Sequence, residues 1–130
     1  MPGLLAGDWT PSSGYAAGKE LAARVRDGDG ITAIFLANDQ MALGLLAALH
    51  EEGLEIPDDV SVVGFDDLPE APYFTPPLTT VRQDFAELGR RGVQLVLARL
   101  AGEDIHPEPV PAPLLVRAST GPARGLRDRG

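Results

Sequence analysis

The sequence contains no cysteine, which excludes a disulfide framework and any thiol chemistry. No apolar run approaches the roughly 20 residues that a membrane-spanning helix needs. The start, Met1-Pro2-Gly3-Leu4-Leu5, has no basic region followed by a long apolar stretch, so no signal peptide is expected and the chain reads as cytoplasmic. Positive charge is scarce as well, with 11 Lys and Arg against 19 Asp and Glu and a net charge of -8. Such a chain is not expected to grip nucleic acid alone, because phosphate contacts need clustered basic side chains. Lys19 is the lone lysine, a sign of coding bias more than of chemistry. His50 sits in a regular helical pattern and His106 in a proline-rich loop. Two isolated histidines make no metal site, and no cofactor is expected.

What the chain does have is two acidic motifs, each ending an apolar run. Ile31 to Ala37 stops at Asn38-Asp39-Gln40, and Val60 to Phe65 stops at Asp66-Asp67. Both runs have strand length and β-branched content, and a helical pattern separates them. Two parallel strands joined by a crossover helix follow from that spacing. Their carboxyl ends then share one rim, the place where open α/β sheets bind small ligands. Carboxylates and amides fixed there suit polyols, whose hydroxyls both donate and accept.

The remaining elements alternate. Thr10, Ser12 and Ser13 offer N-caps for a first helix whose Gly18, Leu21, Ala22 and Val25 share a face, ended by Asp27-Gly28-Asp29-Gly30. Asp39 is expected to cap a second helix with Ala42, Leu45, Leu46 and Leu49 on one face, stopped by Gly53 and Pro57. Residues 68 to 77 hold four prolines and must be loop, leading to a short strand over Leu78 to Val81. Asp84 and Glu87 form a capping-box pair for a third helix, Phe85 to Leu100, ended by Gly102. Leu114 to Ala118 reads as a last strand. The tail from Gly121, with Arg124, Arg127 and Arg129 among glycines, reads as disordered. A doubly wound unit opens with a strand, so Leu4 to Ala6 is taken as the stub of one and Met1 as the start of a fragment.

Three stretches carry a family resemblance: Ala37-Asn38-Asp39-Gln40-Met41-Ala42-Leu43-Gly44, then Ser61-Val62-Val63-Gly64-Phe65-Asp66-Asp67, then residues 76 to 85, Pro-Pro-Leu-Thr-Thr-Val-Arg-Gln-Asp-Phe. Together with Gly7-Asp8-Trp9 and the run from Leu115 to Thr120, they resemble the LacI/GalR transcription regulators over about residues 4 to 120. The resemblance implies an α/β, three-layer parallel sheet of the periplasmic-binding-protein-like class I. It gives residues 1 to 120 as the C-terminal lobe of an effector-binding core. Residues 85 to 118 resemble the crossover back to an N-terminal lobe. The family's helix-turn-helix head and that first lobe lie outside the sequence, so operator DNA is expected as a partner only through them.

By resemblance Asn38 donates its amide to a sugar hydroxyl and Asp66 accepts from neighbouring hydroxyls. The bland readings are an N-cap for Asn38 and Asp39 and a turn carboxylate for Asp66. Asp67 is read as structural. Trp9 and Phe85 can stack on the apolar face of a pyranose, although a lone Trp more often fills a core. Gln83 is a weaker effector contact. Pairing of lobes into a homodimer is implied through Tyr15, Leu45, Leu68, Tyr73 and Phe74, with Leu45 in the core as its bland reading. Two other functions share features of this chain. A transporter's sugar-binding component has the same fold, and the absence of a signal peptide speaks against it. A Mg-dependent phosphoryl-transfer enzyme could use Asp66-Asp67, but no glycine-rich phosphate loop accompanies them, so no catalysis is expected.

Overall fold

The structure, a computed structural model, describes residues 4–123. Helix α1, Pro11–Arg26, starts where the Thr10 hydroxyl accepts the Ser13 amide at 3.2 Å, with Pro11 supplying a preset first turn. Then come β1 (Ala33–Phe35), α2 (Asp39–Glu51), β2 (Ser61–Asp66), a 3-10 turn (Ala71–Tyr73), β3 (Thr79–Arg82), α3 (Phe85–Leu100) and β4 (Leu114–Leu115). α2 stops as the sequence implies, because Gly53 takes φ 71°, a conformation closed to most side chains.

β1, β2 and β3 are parallel neighbours, with Ile34 paired to Val62 and Gly64 to Thr80, whereas β4 runs antiparallel to β3. The sheet is thus mixed at its last strand. α3 buries no residue and does not lie on the sheet, so the chain returns without the helical crossover that a parallel partner requires. No strand forms over residues 4–6, although Leu5 packs against the core. β4 is also shorter than the run that suggests it, because the backbone past it bonds elsewhere. Ser119 is fully buried, donates its hydroxyl to the Val62 carbonyl at 2.6 Å and accepts the Thr79 amide at 2.8 Å. It therefore knits β2 to the start of β3.

α1 packs on α2 backbone to backbone. A Cβ on Gly14 would lie 2.0 Å from the Met41 carbonyl oxygen, and one on Gly44 would lie 1.8 Å from that of Pro11. Only glycine allows this approach. Beneath the helices lie Leu21, Ala22, Leu45, Leu46, Leu49, Val60, Val62 and Leu78, the heart of the apolar core. Each of these buried Leu and Val side chains contributes about 1.5–3 kcal/mol relative to exposure. The opposite sheet face carries Phe35, 64% exposed, in edge-on contact with Phe65 at 6.4 Å. Two of the three layers, helices and sheet, are therefore present among the described residues.

Asp84 caps α3 by accepting the Glu87 amide at 2.9 Å, but the reciprocal half of the capping box is not made. The Glu87 carboxylate turns instead to Arg90 and Arg91, which hold its pKa down to about 2. Gly121, Pro122 and Ala123 extend without helix or strand; Arg124, Arg127 and Arg129 lie outside the described residues.

Candidate functional site

Parallel β1, β2 and β3 deliver Asn38, Asp66 and Gln83 to one rim of the sheet. Asp66 pairs with Arg82 in register, which sets Gln83 just beyond the ladder, and its Nε2 donates to Asp66 Oδ1 at 3.0 Å. Asp66 Oδ2 accepts no hydrogen bond from the described residues. Phe85 follows as the first residue of α3 and is 58% exposed. On the β1 side, Asn38 Nδ2 donates to the Trp9 carbonyl at 3.0 Å. Trp9 is 62% exposed at φ 71°, so its ring is presented to solvent and fills no core. The five rim residues thus stand as two bonded pairs, Asn38 with Trp9 and Asp66 with Gln83, followed by Phe85.

Asn38, not Asp39, is the N-cap of α2: its Oδ1 accepts the Met41 amide at 2.9 Å. One N–H and one lone pair of its amide stay uncommitted. Asp39 is the first helical residue and is completely buried. Its Oδ1 accepts the Thr80 hydroxyl at 2.6 Å and its Oδ2 the Leu68 amide at 2.8 Å. Burial raises its pKa above the ordinary value, against the two hydrogen bonds, with the charges of Asp66 and Asp67 adding to the rise.

Asp67 is spoken for. Arg117 Nη2 and Arg82 Nε each donate to its carboxylate at 2.7 Å, and its side chain is 8% exposed. Burial, the largest single influence, would raise its pKa, yet the two guanidiniums together hold it below the ordinary value. Both oxygens of that carboxylate are engaged by guanidiniums, which counts against a magnesium site shared by Asp66 and Asp67. Among the described residues there is no group of three or more His, Asp or Glu placed to hold a metal.

Residues 5–120 match the periplasmic binding protein-like domain family. The chain belongs to that family. Within it, the lactose operon repressor of Klebsiella pneumoniae is 43% identical over 124 residues, covering 95% of this chain and 34% of the repressor. The lac repressor dimer bound to operator and the anti-inducer ONPF superposes with TM-score 0.77 at 38% identity, over 88% of this chain and 39% of that one. A LacI family regulator from Enterococcus faecium with bound ribose gives TM-score 0.79 at 32% identity, over 93% of this chain and 44% of that one. The periplasmic-binding-protein-like domain here is thus of the LacI type, and it spans about a third of the curated repressor it matches. No described helix is long and apolar enough to cross a membrane.

Within this LacI-type domain, the residues expected to pair two copies fare unevenly. Leu45 is 1% exposed and Phe74 9%, both in the core cluster. α2 is covered by α1 through Gly44 and by the sheet beneath, which leaves Leu45 inside and turns Leu43, 45% exposed, outward. Tyr73 is 85% exposed. Leu43, Leu46, His50, Tyr73 and Phe74 line an apolar hollow of about 410 Å³. Tyr15 is half-buried and donates its hydroxyl to Glu51 at 2.5 Å, and Leu68 is tied by its amide to Asp39.

Sequence reasoning passed over Thr80, Arg82, Arg117 and Ser119. Two signals were available: consecutive threonines in a strand otherwise bound for the core, and a glycine in mid-strand at Gly64. Buried polar groups and missing side chains within a sheet both mark a place where another group must fit.

Proposed function

We propose that this chain is the effector-sensing and pairing lobe of a LacI-type repressor, and that its rim takes a small sugar-like effector. The carrying observation is Asp66, whose Oδ2 is unclaimed and whose Oδ1 is oriented by Gln83, on a rim that also presents the exposed rings of Trp9 and Phe85. A carboxylate accepts from adjacent hydroxyls while an aromatic face covers the ring's C–H surface. The free N–H of Asn38 adds a donor. Known relatives are repressors, which accords with a binding protein without chemistry of its own.

α3 supports a two-lobe arrangement, since Phe85, Val93, Val96, Leu97 and Leu100 are all more than half exposed. Residues 85–118 would return the chain to a second lobe, which covers that face and closes the effector cleft. Effector would then favour one placement of the lobes by its differential affinity and so alter the spacing of paired DNA-binding heads. The hollow beside Leu43 and Tyr73 would be the pairing surface of a homodimer, with operator DNA contacted by heads outside this sequence. A cytoplasmic location belongs to the same reading.

Trp9 is the sole tryptophan, so tryptophan emission excited selectively over Tyr15 and Tyr73 reports on the rim. Titration with ribose and with lactose should change that emission, with affinity in the millimolar range for an isolated lobe, and Asp66→Asn should abolish the change. Emission indifferent to both sugars in the parent chain would sink the effector reading.

A further inference from the structure

The corner after β2 adopts a backbone that its residues resist. Asp66 has φ 113° and Asp67 φ 59°, two successive non-glycine residues in territory that favours glycine. A glycine at either position would reach the same shape freely, so something outside the corner must hold these two aspartates there.

Two carboxylate contacts do so. Asp39 accepts the Leu68 amide at 2.8 Å while anchored to the Thr80 hydroxyl at 2.6 Å. Arg117 and Arg82, from outside the corner, hold the Asp67 carboxylate, each at 2.7 Å. The Gln83 backbone amide donates to the Asp66 carbonyl at 3.2 Å. Every carboxylate oxygen of Asp39 and Asp67 has a protein partner, and both side chains are almost wholly out of solvent. Neither is available to a ligand. Asp66 keeps one oxygen uncommitted among the described residues.

Gly64 shows that the first arm is built into the sheet. A Cβ there would come within 2.2 Å of Asp39 Oδ1, so β2 is left bare where the carboxylate passes over it. Arg117 makes the second arm an anchored one, since its Nη1 also donates to the Leu78 carbonyl at 2.8 Å.

We propose that Asp39 and Asp67 are positioning residues that clamp the 66–67 corner in its left-handed form and thereby aim Asp66 Oδ2 out of the rim. The aim matters for effector affinity only if the rim binds effector, so that part rests on the function proposed above. Strain held in this way is pre-organisation: the carboxylate is oriented before any ligand arrives.

The test uses the 130-residue chain, isotope-labelled, with three-bond amide couplings and backbone carbon shifts giving φ at residues 66 and 67. The parent should show positive φ at both. Asp39→Asn and Asp67→Ala should lose that signature while the shifts of α1 and of Ser119 stay in place, and Asp67→Gly should keep the corner left-handed because glycine needs no clamp. If Asp39→Asn does not fold, Thr80→Ala loosens the same arm with the same expected result. Retention of positive φ in Asp67→Ala together with either variant of the Asp39 arm would overturn the clamp.

The same samples are then titrated with ribose and with lactose, reading the Asp66 amide. Affinity at least about ten-fold weaker in Asp67→Ala than in the parent supports the aiming role. Equal affinity, with the corner demonstrably lost, overturns it. Silence of the parent toward both sugars refutes the effector reading instead, and the backbone comparison still decides the clamp.

Discussion

Asp39 and Gly64 are complementary: the buried carboxylate of one occupies the space that a side chain on the other would fill, with Oδ1 2.2 Å from the position of a Gly64 Cβ. The pair explains an odd glycine in a central strand, where loss of packing and backbone entropy would otherwise disfavour it. Gly64→Ala must push Asp39 away from Thr80 and Leu68. We expect destabilisation of about 2–3 kcal/mol, read as a lower urea midpoint at unchanged slope.

Glycines of the helices should separate by context. Gly44→Ala drives a methyl into the Pro11 carbonyl, 1.8 Å away, and should cost about 1–3 kcal/mol. Gly89→Ala on α3 meets nothing within 4 Å and should instead stabilise by about 0.5–1 kcal/mol through helix propensity. Thermal melts of the two variants should move in opposite directions.

Acid stability should depend on Asp67. Its folded pKa lies below the ordinary 3.8, so its ion pairs contribute stability at pH values above 3.8, and that contribution is lost as pH falls through the lower folded value. Asp39 has the opposite sign: its pKa is raised, so protonation on acidification favours the fold and partly masks the loss. Urea midpoints measured from neutral pH down to about pH 3 should fall less steeply in Asp67→Asn than in the parent.

The three helices and the parallel strands were legible in the sequence because 3.6-residue and continuous apolar patterns are bounded by glycine, proline and capping residues. Cap identity was not. Asn38 and Asp39 are adjacent and equally suited, and a one-residue shift decides which carboxamide or carboxylate meets the α2 amides and which drops into the core. The burial of Leu45 was not legible for a related reason. α2 touches both α1 and the sheet, so its apolar residues run around most of its circumference, and periodicity alone does not say which leucine is left outside. Asp66 stood out at a strand end and the family resemblance added Gln83 and Trp9, but the side chains that meet Asp39 and Asp67 come from β3 and from position 117, and only the fold brings them together.

If two copies pair through the hollow beside Leu43 and Tyr73, charge placed there should abolish the pair. We expect a dimer at tens of micromolar by sedimentation, converted to monomer by Leu43→Asp or Tyr73→Asp and unaffected by Val96→Asp on α3. Loss of the dimer with Val96→Asp alone would point to exchange of α3 between chains. A monomeric parent would exclude both arrangements.

Duplex DNA should not be bound with sequence preference by this chain, given its net charge of -8. A mobility-shift assay at physiological salt should show no discrimination between an operator-like palindrome and its scrambled counterpart.

Ser119 has a consequence for the order in which the molecule can be made. It fills a gap between two strands that leave the ribosome long before it does, 57 residues after Val62, and until it arrives the Val62 carbonyl and the Thr79 amide lack their partners. A nascent chain halted short of that serine holds an unfinished sheet with open hydrogen-bonding groups at its centre. Completion of the sheet therefore waits for Ser119 itself, and stop codons even a few residues upstream of it should send the product to proteolysis rather than leave a slightly shortened working lobe.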